Sequence, residues 1–197
     1  MAIQVEHEKR KKEILEKARD LFIKDGYADV TFQKIADRCG ITRTTLYIYY
    51  ENKQQVFIEC IKQVTDELEN NIAIFMNDKN LSSTECLEKI FDETIKICTH
   101  YYRIFRVVLD HLLQLQKTGI DINRRLNRRT IRIRHIISTV IIRGQNKGEI
   151  KKLPVKEIND LLFSSLYYGI YNVGITETPN LQVAGDSIKF VIKNLLQ

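Results

Sequence analysis

Apolar residues along this chain recur every three to four positions and nowhere sustain an alternating pattern, so the sequence reads as helical throughout. Ile14, Ala18, Leu21 and Phe22 fall at i, i+4, i+7 and i+8, which predicts one buried face on a first helix over Glu8–Asp25. Gly26 is a natural stop for it. Two short helices follow, about Phe32–Cys39 and Thr42–Tyr47. Thr31 is the N-cap candidate of the first, with Lys34 rather than Glu at the capping-box position, so the cap is of the simple kind. A fourth helix over Lys53–Met76 carries Val56, Phe57, Cys60, Ile61, Val64 and Leu68 as its stripe. After a cap at Ser82 or Ser83 come helices at roughly 83–100, 101–117, 121–147, 154–172 and 181–196. Gly119, Gly148, Pro154 and Pro179 punctuate them. The expected fold class is all-α. An N-terminal unit, 1–53, and a C-terminal helical unit, 54–197, would be joined rigidly by the fourth helix, with no low-complexity linker and no internal repeat.

Composition narrows the function classes. At 197 residues, 44% hydrophobic and 28% charged, the chain can bury one good core and a small appended unit. Charge appears by Glu6 with no apolar run after it, so no secretory signal is expected. The longest uncharged stretch, Leu161–Thr176, has 16 residues and includes Ser164, Ser165 and Asn172, too short and polar to span a bilayer. A cytoplasmic protein without membrane contact is the expectation. Four cysteines (Cys39, Cys60, Cys86, Cys98) lack ligand spacing and read as reduced, mostly buried thiols, so neither a metal nor another cofactor is expected. The net charge of +6 favours anionic partners only weakly. Residues 1–60 hold 11 Lys or Arg against 10 Asp or Glu, whereas 61–197 hold 20 against 15. Bulk charge therefore does not mark the N-terminal unit as a DNA binder.

Local pattern does. The stretch Phe32–Glu51, FQKIADRCGITRTTLYIYYE, has helix-turn-helix spacing. Ala36 is small enough for two helices to cross, Gly40 supplies a left-handed turn, and Leu46 points back into the crossing. Thr42, Arg43, Thr44, Thr45, Tyr47 and Tyr49 are left outward, with no carboxylate until Glu51. Hydroxyls, one guanidinium and phenols suit a phosphate-lined groove. Lys9–Lys12 add a basic arm that either follows a minor groove or is simply solvated.

The order Gly26-Tyr27, Thr31, Ile35-Ala36, Gly40-Ile41, Thr45-Leu46-Tyr47, Tyr49-Tyr50, Asn52-Lys53 and Phe57 resembles the N-terminal DNA-binding domain of the tetracycline-repressor (TetR) family. The resemblance covers about a quarter of the chain; beyond it only the helical architecture and the Gly148-Glu149-Ile150 close of a long helix match. Tyr50 stands where the family often has phenylalanine. The resemblance implies a homodimer with the third helix of each subunit in a major groove and the last two helices building a four-helix interface. It further implies a palindromic operator and a small-molecule effector bound in the C-terminal unit, tilting the fourth helix. Within it, Thr31 caps its helix alone or also holds a phosphate, Arg43 pairs with a guanine edge or a phosphate, Tyr47 clamps the DNA backbone or is half-buried packing, and Lys53 contacts a phosphate or is a solvated lysine. Thr42 is an N-cap or a phosphate donor, Thr44 and Thr45 reach phosphates or thymine methyls, Tyr49 reaches a phosphate or a base, and Tyr50 belongs to the core.

The C-terminal unit is less legible. In the segment RRLNRRTIRIRHIISTVIIRG, a helical wheel puts Arg124, Arg125, Arg128, Arg129, Arg132 and Arg143 opposite Leu126, Ile133, Ile137, Val140 and Ile141. A solvated basic face is the plain reading; a partner surface is the sharper one. Arg134 lies on the apolar side and must meet a carboxylate or an acidic effector. Tyr101, Phe105 and His111 on one helix, and Tyr168 and Tyr171 on another, either line a pocket for a lipophilic or anionic ligand or are core and interface. No HExxH, GxSxG or phosphate loop occurs, and no enzymatic centre is expected. The competing reading is a helical ligand-binding or adaptor protein that no longer binds DNA specifically.

Overall fold

The computed structural model describes the backbone of residues 2–120, 122–176 and 180–196 and the side chains of 5–120, 130–176 and 180–196. Among the described residues the chain is all-α: α1 (Ala2–Asp29), α2 (Phe32–Cys39), α3 (Arg43–Tyr47), α4 (Lys53–Asn77), α5 (Ser83–His100), α6 (Tyr102–Lys117), α7 (Ile122–Lys147), α8 (Val155–Thr176) and α9 (Gln182–Leu195). The one extended pairing described is an isolated bridge between Ile150 and Leu196. Helix α1 begins six residues before the expected Glu8, and α8 extends four beyond 172. Gly26, at φ 77 and ψ 167, breaks α1 where the stop was expected. Pro179 and the side chains of Arg124, Arg125, Leu126, Arg128 and Arg129 lie outside the described residues.

Two main cores share α4. The first gathers Ile14, Ala18 and Phe22 of α1, Ile35 and Ala36 of α2, and Leu46 of α3. Val56, Phe57 and Cys60 from the start of α4 close it, together with Ile104 and Val107 of α6. The second begins one turn further along α4, at Val64, Leu68 and Ile72, and takes in residues of α5, α7, α8 and α9. α4 is therefore not the sole bridge, because α6 lies directly against α1 and inserts two side chains into the first core.

Helix ends explain the joints. Ser82 and Glu85 form a reciprocal capping box at the start of α5. Where α7 ends, Glu149 accepts the backbone N–H of Ser83 at 2.7 Å, fastening the α7–α8 connection to the head of α5. Gly144 permits this approach: a Cβ there would sit 2.6 Å from Ile150 Cδ1 and 2.8 Å from Ser83 Cβ.

Candidate nucleic-acid interface

Local rules fix α2 and α3. The Thr31 hydroxyl accepts the N–H of Lys34 at 3.1 Å and caps α2. At the other end Gly40 takes up φ 69 and ψ 34, and the N–H groups of Gly40 and Ile41 turn back to Asp37 O and Ala36 O, each at 3.1 Å. Thr42 caps α3 by accepting the Thr45 N–H at 3.0 Å, and the two threonine hydroxyls share a 2.8 Å hydrogen bond. Leu46, wholly buried, is the anchor of α3. One anchor suffices for five residues because caps hold both helices at the turn.

The outward face follows. Thr42, Arg43 and Thr44 are exposed and Thr45 is half-buried. Arg43 donates from Nη2 to the Tyr47 hydroxyl at 3.1 Å, with its guanidinium 5.7 Å from the centre of that ring. The Tyr47 ring rests on Phe32 at 4.8 Å, so the pair is braced from α2. Tyr49, half-buried, stacks on His7 at 4.8 Å, which ties α1 to the end of α3. Tyr50 is core, and burial pushes its phenol pKa up. A carboxylate on α2, Asp37, shares the groove with Arg43, where it accepts from Gln33 at 2.7 Å.

Lys53 carries more structure than expected from a surface lysine. Its ammonium donates to Tyr27 O at 2.8 Å and Ala28 O at 3.2 Å, and lies 4.4 Å from the Tyr27 ring centre. These carbonyls lie in the last turn of α1, where a helix leaves its C=O groups without intrahelical partners. Partial burial lowers the lysine pKa, opposed by the charge of Asp29. Two of its three N–H groups thus close the end of α1.

Residues 14–60 match the model of the bacterial regulatory proteins of the tetR family. The chain is 21% identical over 155 residues to the fatty acid metabolism regulator protein of Bacillus subtilis (strain 168), covering 78% of each chain. Residues 14–60 are thus similar to the DNA-binding domain of the tetR-family regulators. The chain is also 27% identical over 95 residues, 48% of this chain and 51% of the other, to IcaR of Staphylococcus aureus, a negative transcriptional regulator of the biofilm operon icaADBC. Its fold is that of a TetR transcription regulator from Haloarcula marismortui ATCC 43049, with a TM-score of 0.82, 17% identity, and coverage of 96% of this chain and 100% of that one. FadR of Bacillus subtilis, solved in complex with stearoyl-CoA, matches with a TM-score of 0.72 at 18% identity, covering 94% and 97%.

In the C-terminal half of the chain, the expected ligand residues do not meet in one place. His111 packs on Tyr27, ring centres 3.8 Å apart, and edge-on to Phe57, which puts it at the seam with the first core. Tyr101 donates to Glu67 on α4 at 2.9 Å, beneath Arg19 of α1. Tyr168 and Tyr171 are 56% and 60% exposed on the outer face of α8. Arg134 does meet a carboxylate: Nη1 lies 2.6 Å from Asp160 Oδ1 of α8, and the guanidinium lies 4.3 Å from the Phe163 ring centre. Of the six, Phe105 lines a cavity together with Cys98, Tyr102, Arg106, Leu109, Ile170, Val173, Gly174 and Leu181. At about 10 Å³ that cavity admits roughly one water molecule.

Arg132 and Arg143 share one meridian of α7 yet differ in surroundings. Arg132 is exposed and reaches Glu69 at 3.1 Å. Arg143 is half-buried and leans on Ser83 at 3.4 Å, because the head of α5 covers that end of α7. The four cysteines are buried and unbridged, and burial raises the thiols of Cys60 and Cys98 to about 12. Among the described residues no group of His, Cys, Asp and Glu could hold a metal ion, and no helix is long and apolar enough to cross a membrane.

Proposed function

We propose that this chain is a dimeric repressor that grips a palindromic operator through α2 and α3 of each subunit and releases it when an amphiphilic, anionic small molecule enters the C-terminal half. The observation that carries the DNA reading is the outer face of α3. It offers Thr42, Arg43, Thr44, Thr45 and Tyr47 on a helix pinned by Leu46, with no carboxylate from Ile41 to Tyr50. Thr31 lends its helix N-terminus to a phosphate, Arg43 reads a guanine edge or a phosphate, and Tyr47 and Tyr49 hold the backbone. Lys53 offers its remaining N–H to a phosphate beside the α1 kink. The DNA-reading unit is 1–53 and the effector and dimer unit 54–197.

Dimerisation is supported by an apolar outer face on α8 and α9. Leu161, Tyr168, Tyr171 and Ile175 recur at helical spacing on α8, and Val183 and Phe190 on α9; all six are more than half exposed. A face of that kind is self-complementary about a two-fold axis and sets two recognition helices one DNA turn apart, about 34–36 Å.

The effector reading rests on the cavity between α5, α6, α8 and α9 and on the stearoyl-CoA held by FadR. Phe105, Leu109, Ile170 and Val173 suit an acyl chain, with Arg106 beside them for an anionic end. Since the cavity holds only about 10 Å³, entry of an acyl chain must part α6 from α8. α6 and α4 both enter the first core, so that movement reaches α1 and α3. Duplex capture from sheared genomic DNA, followed by titration with stearoyl-CoA and with coenzyme A alone, tests the whole reading. Expected are a shared palindrome, at least a ten-fold loss of operator affinity with the acylated compound, and a dimer that persists in sedimentation. Salt-insensitive capture of no DNA overturns the DNA reading, and effector-induced monomers overturn the coupling.

A further inference from the structure

We infer that Ile48 is a base-reading residue that recognises the C5-methyl group of a thymine in each operator half-site; this rests on the DNA reading above. Ile48 was not among the residues expected to touch DNA, and its position in the fold sets it apart. It follows Tyr47 directly, keeps helical backbone at φ −66 and ψ −28, and is 69% exposed. Leu46, two residues earlier, is wholly buried, so a helical rotation of about 200° turns Ile48 to the opposite, outward side. Thr44, four residues back and also exposed, adds its own methyl to that side.

A lone exposed isoleucine on an ordinary surface needs no explanation. This one belongs to the surface that would replace water with base edges. Its neighbours are polar and already braced: Arg43 by Tyr47, Tyr47 by Phe32, Thr42 by Thr45. They can hold phosphates or donate to bases, but an sec-butyl group can do neither. In the major groove the apolar feature that base edges present is the thymine methyl. Arg43, at the start of the same short helix, supplies the cation that brings the phosphate backbone close, so the electrostatics favour duplex DNA as the occupant. Burying one methyl against Ile48 is worth about four-fold in affinity.

The test uses the full-length protein and the operator enriched from random duplexes. Each thymine is replaced in turn by deoxyuridine, which removes the methyl and leaves the hydrogen-bonding edge intact. Expected is a loss of about four-fold at one thymine position per half-site, and about sixteen-fold when both half-sites are changed. Ile48→Ala should bind thymine and uracil equally at that position while Ile48→Val keeps most of the discrimination, both with unchanged helicity by circular dichroism. A specific operator insensitive to uracil everywhere, or the same responsive thymines in Ile48→Ala, overturns the inference and leaves the DNA reading standing. Failure to enrich any sequence overturns both.

Discussion

The α2–α3 turn and the α6–α8 cavity place similar side chains by opposite means. Around α3, each polar residue sits where a rule of a few residues puts it: a threonine three positions before the N–H it accepts, a glycine at φ 69, a leucine turned inward. Around the cavity nothing local decides. Phe105 faces the space because α8 and α9 close over it, whereas His111, on the same helix six residues later, meets Tyr27 and Phe57 of the other core. The first region is over-determined and small. The second is a negotiated packing among long helices, and it is the part that would move under the proposed effector entry.

That difference predicts two separable stabilities. Leu46→Ala removes the single anchor of α3 and should cost the first core about 2–5 kcal/mol. Chemical denaturation followed by circular dichroism should then show an early partial transition, with operator binding lost and the dimer retained. One unsplit transition at the wild-type midpoint would erase the distinction between the two cores.

The same contrast governs what the sequence disclosed. The boundaries of α2, α3 and α5 were legible because Thr31, Gly40, Thr42 and Ser82 carry their signals in the residue type. The apolar faces of α1, α4 and α7 were legible from period: Ile137, Val140 and Ile141 are all buried. Periodicity says which side of a helix is covered, not which neighbour covers it. Arg132 and Arg143 lie at nearly the same angle on α7, and the head of α5 meets only the second. Tyr168 and Tyr171 had the composition of a pocket wall and the position of an outer face. Lys53 was read as a phosphate-contacting lysine, and its second role was hidden because the carbonyls it satisfies belong to the end of α1, some 26 residues away. The exposure of Ile48 could have been read from its offset to Leu46, but an isoleucine inside an apolar-rich run gives no signal of its own.

Two glycines sharpen the comparison. Gly144→Ala should cost about 1–3 kcal/mol, because the new methyl meets Ile150 and Ser83 at 2.6–2.8 Å and long helices would have to part. Gly40→Ala meets nothing within 4 Å, and its cost of about 1–2 kcal/mol is the left-handed backbone alone. Asparagine discriminates the two origins, since it tolerates that backbone but not that crowding. Gly40→Asn should recover most of the loss in thermal melts and Gly144→Asn none; equal behaviour would assign both costs to one cause.

A smaller effect is expected at Arg134. Its partner Asp160 is half exposed, so Asp160→Asn should change stability by less than about 1 kcal/mol, with the stacking on Phe163 left in place. It should not alter effector affinity, since both groups are satisfied within the protein. A ten-fold change in acyl-CoA affinity by calorimetry would return Arg134 to the ligand.

The smallest effect is in pH, and it belongs to the second core. Hydrogen bonding from Ser83, reinforced by Lys147 and Arg143, holds the Glu149 carboxyl below its ordinary value; Ser82 does the same for Glu85. A carboxyl lowered in the folded state adds stability above its unfolded pKa, ordinarily about 4.3, and that stability is lost as pH falls through the lower folded value. Both carboxylates act at the head of α5, where water screens them, so the contribution of Glu149 should stay under about 1 kcal/mol. Stability of the C-terminal transition should therefore decline between about pH 5 and 3, and Glu149→Gln should flatten part of the decline by lowering the neutral-pH value. The first transition should keep its slope in that variant, because the α7–α8 connection does not touch α1–α3. If Glu149→Gln changed the acid response of DNA binding instead, the two regions would be coupled through α5 as well as through α4 and α6.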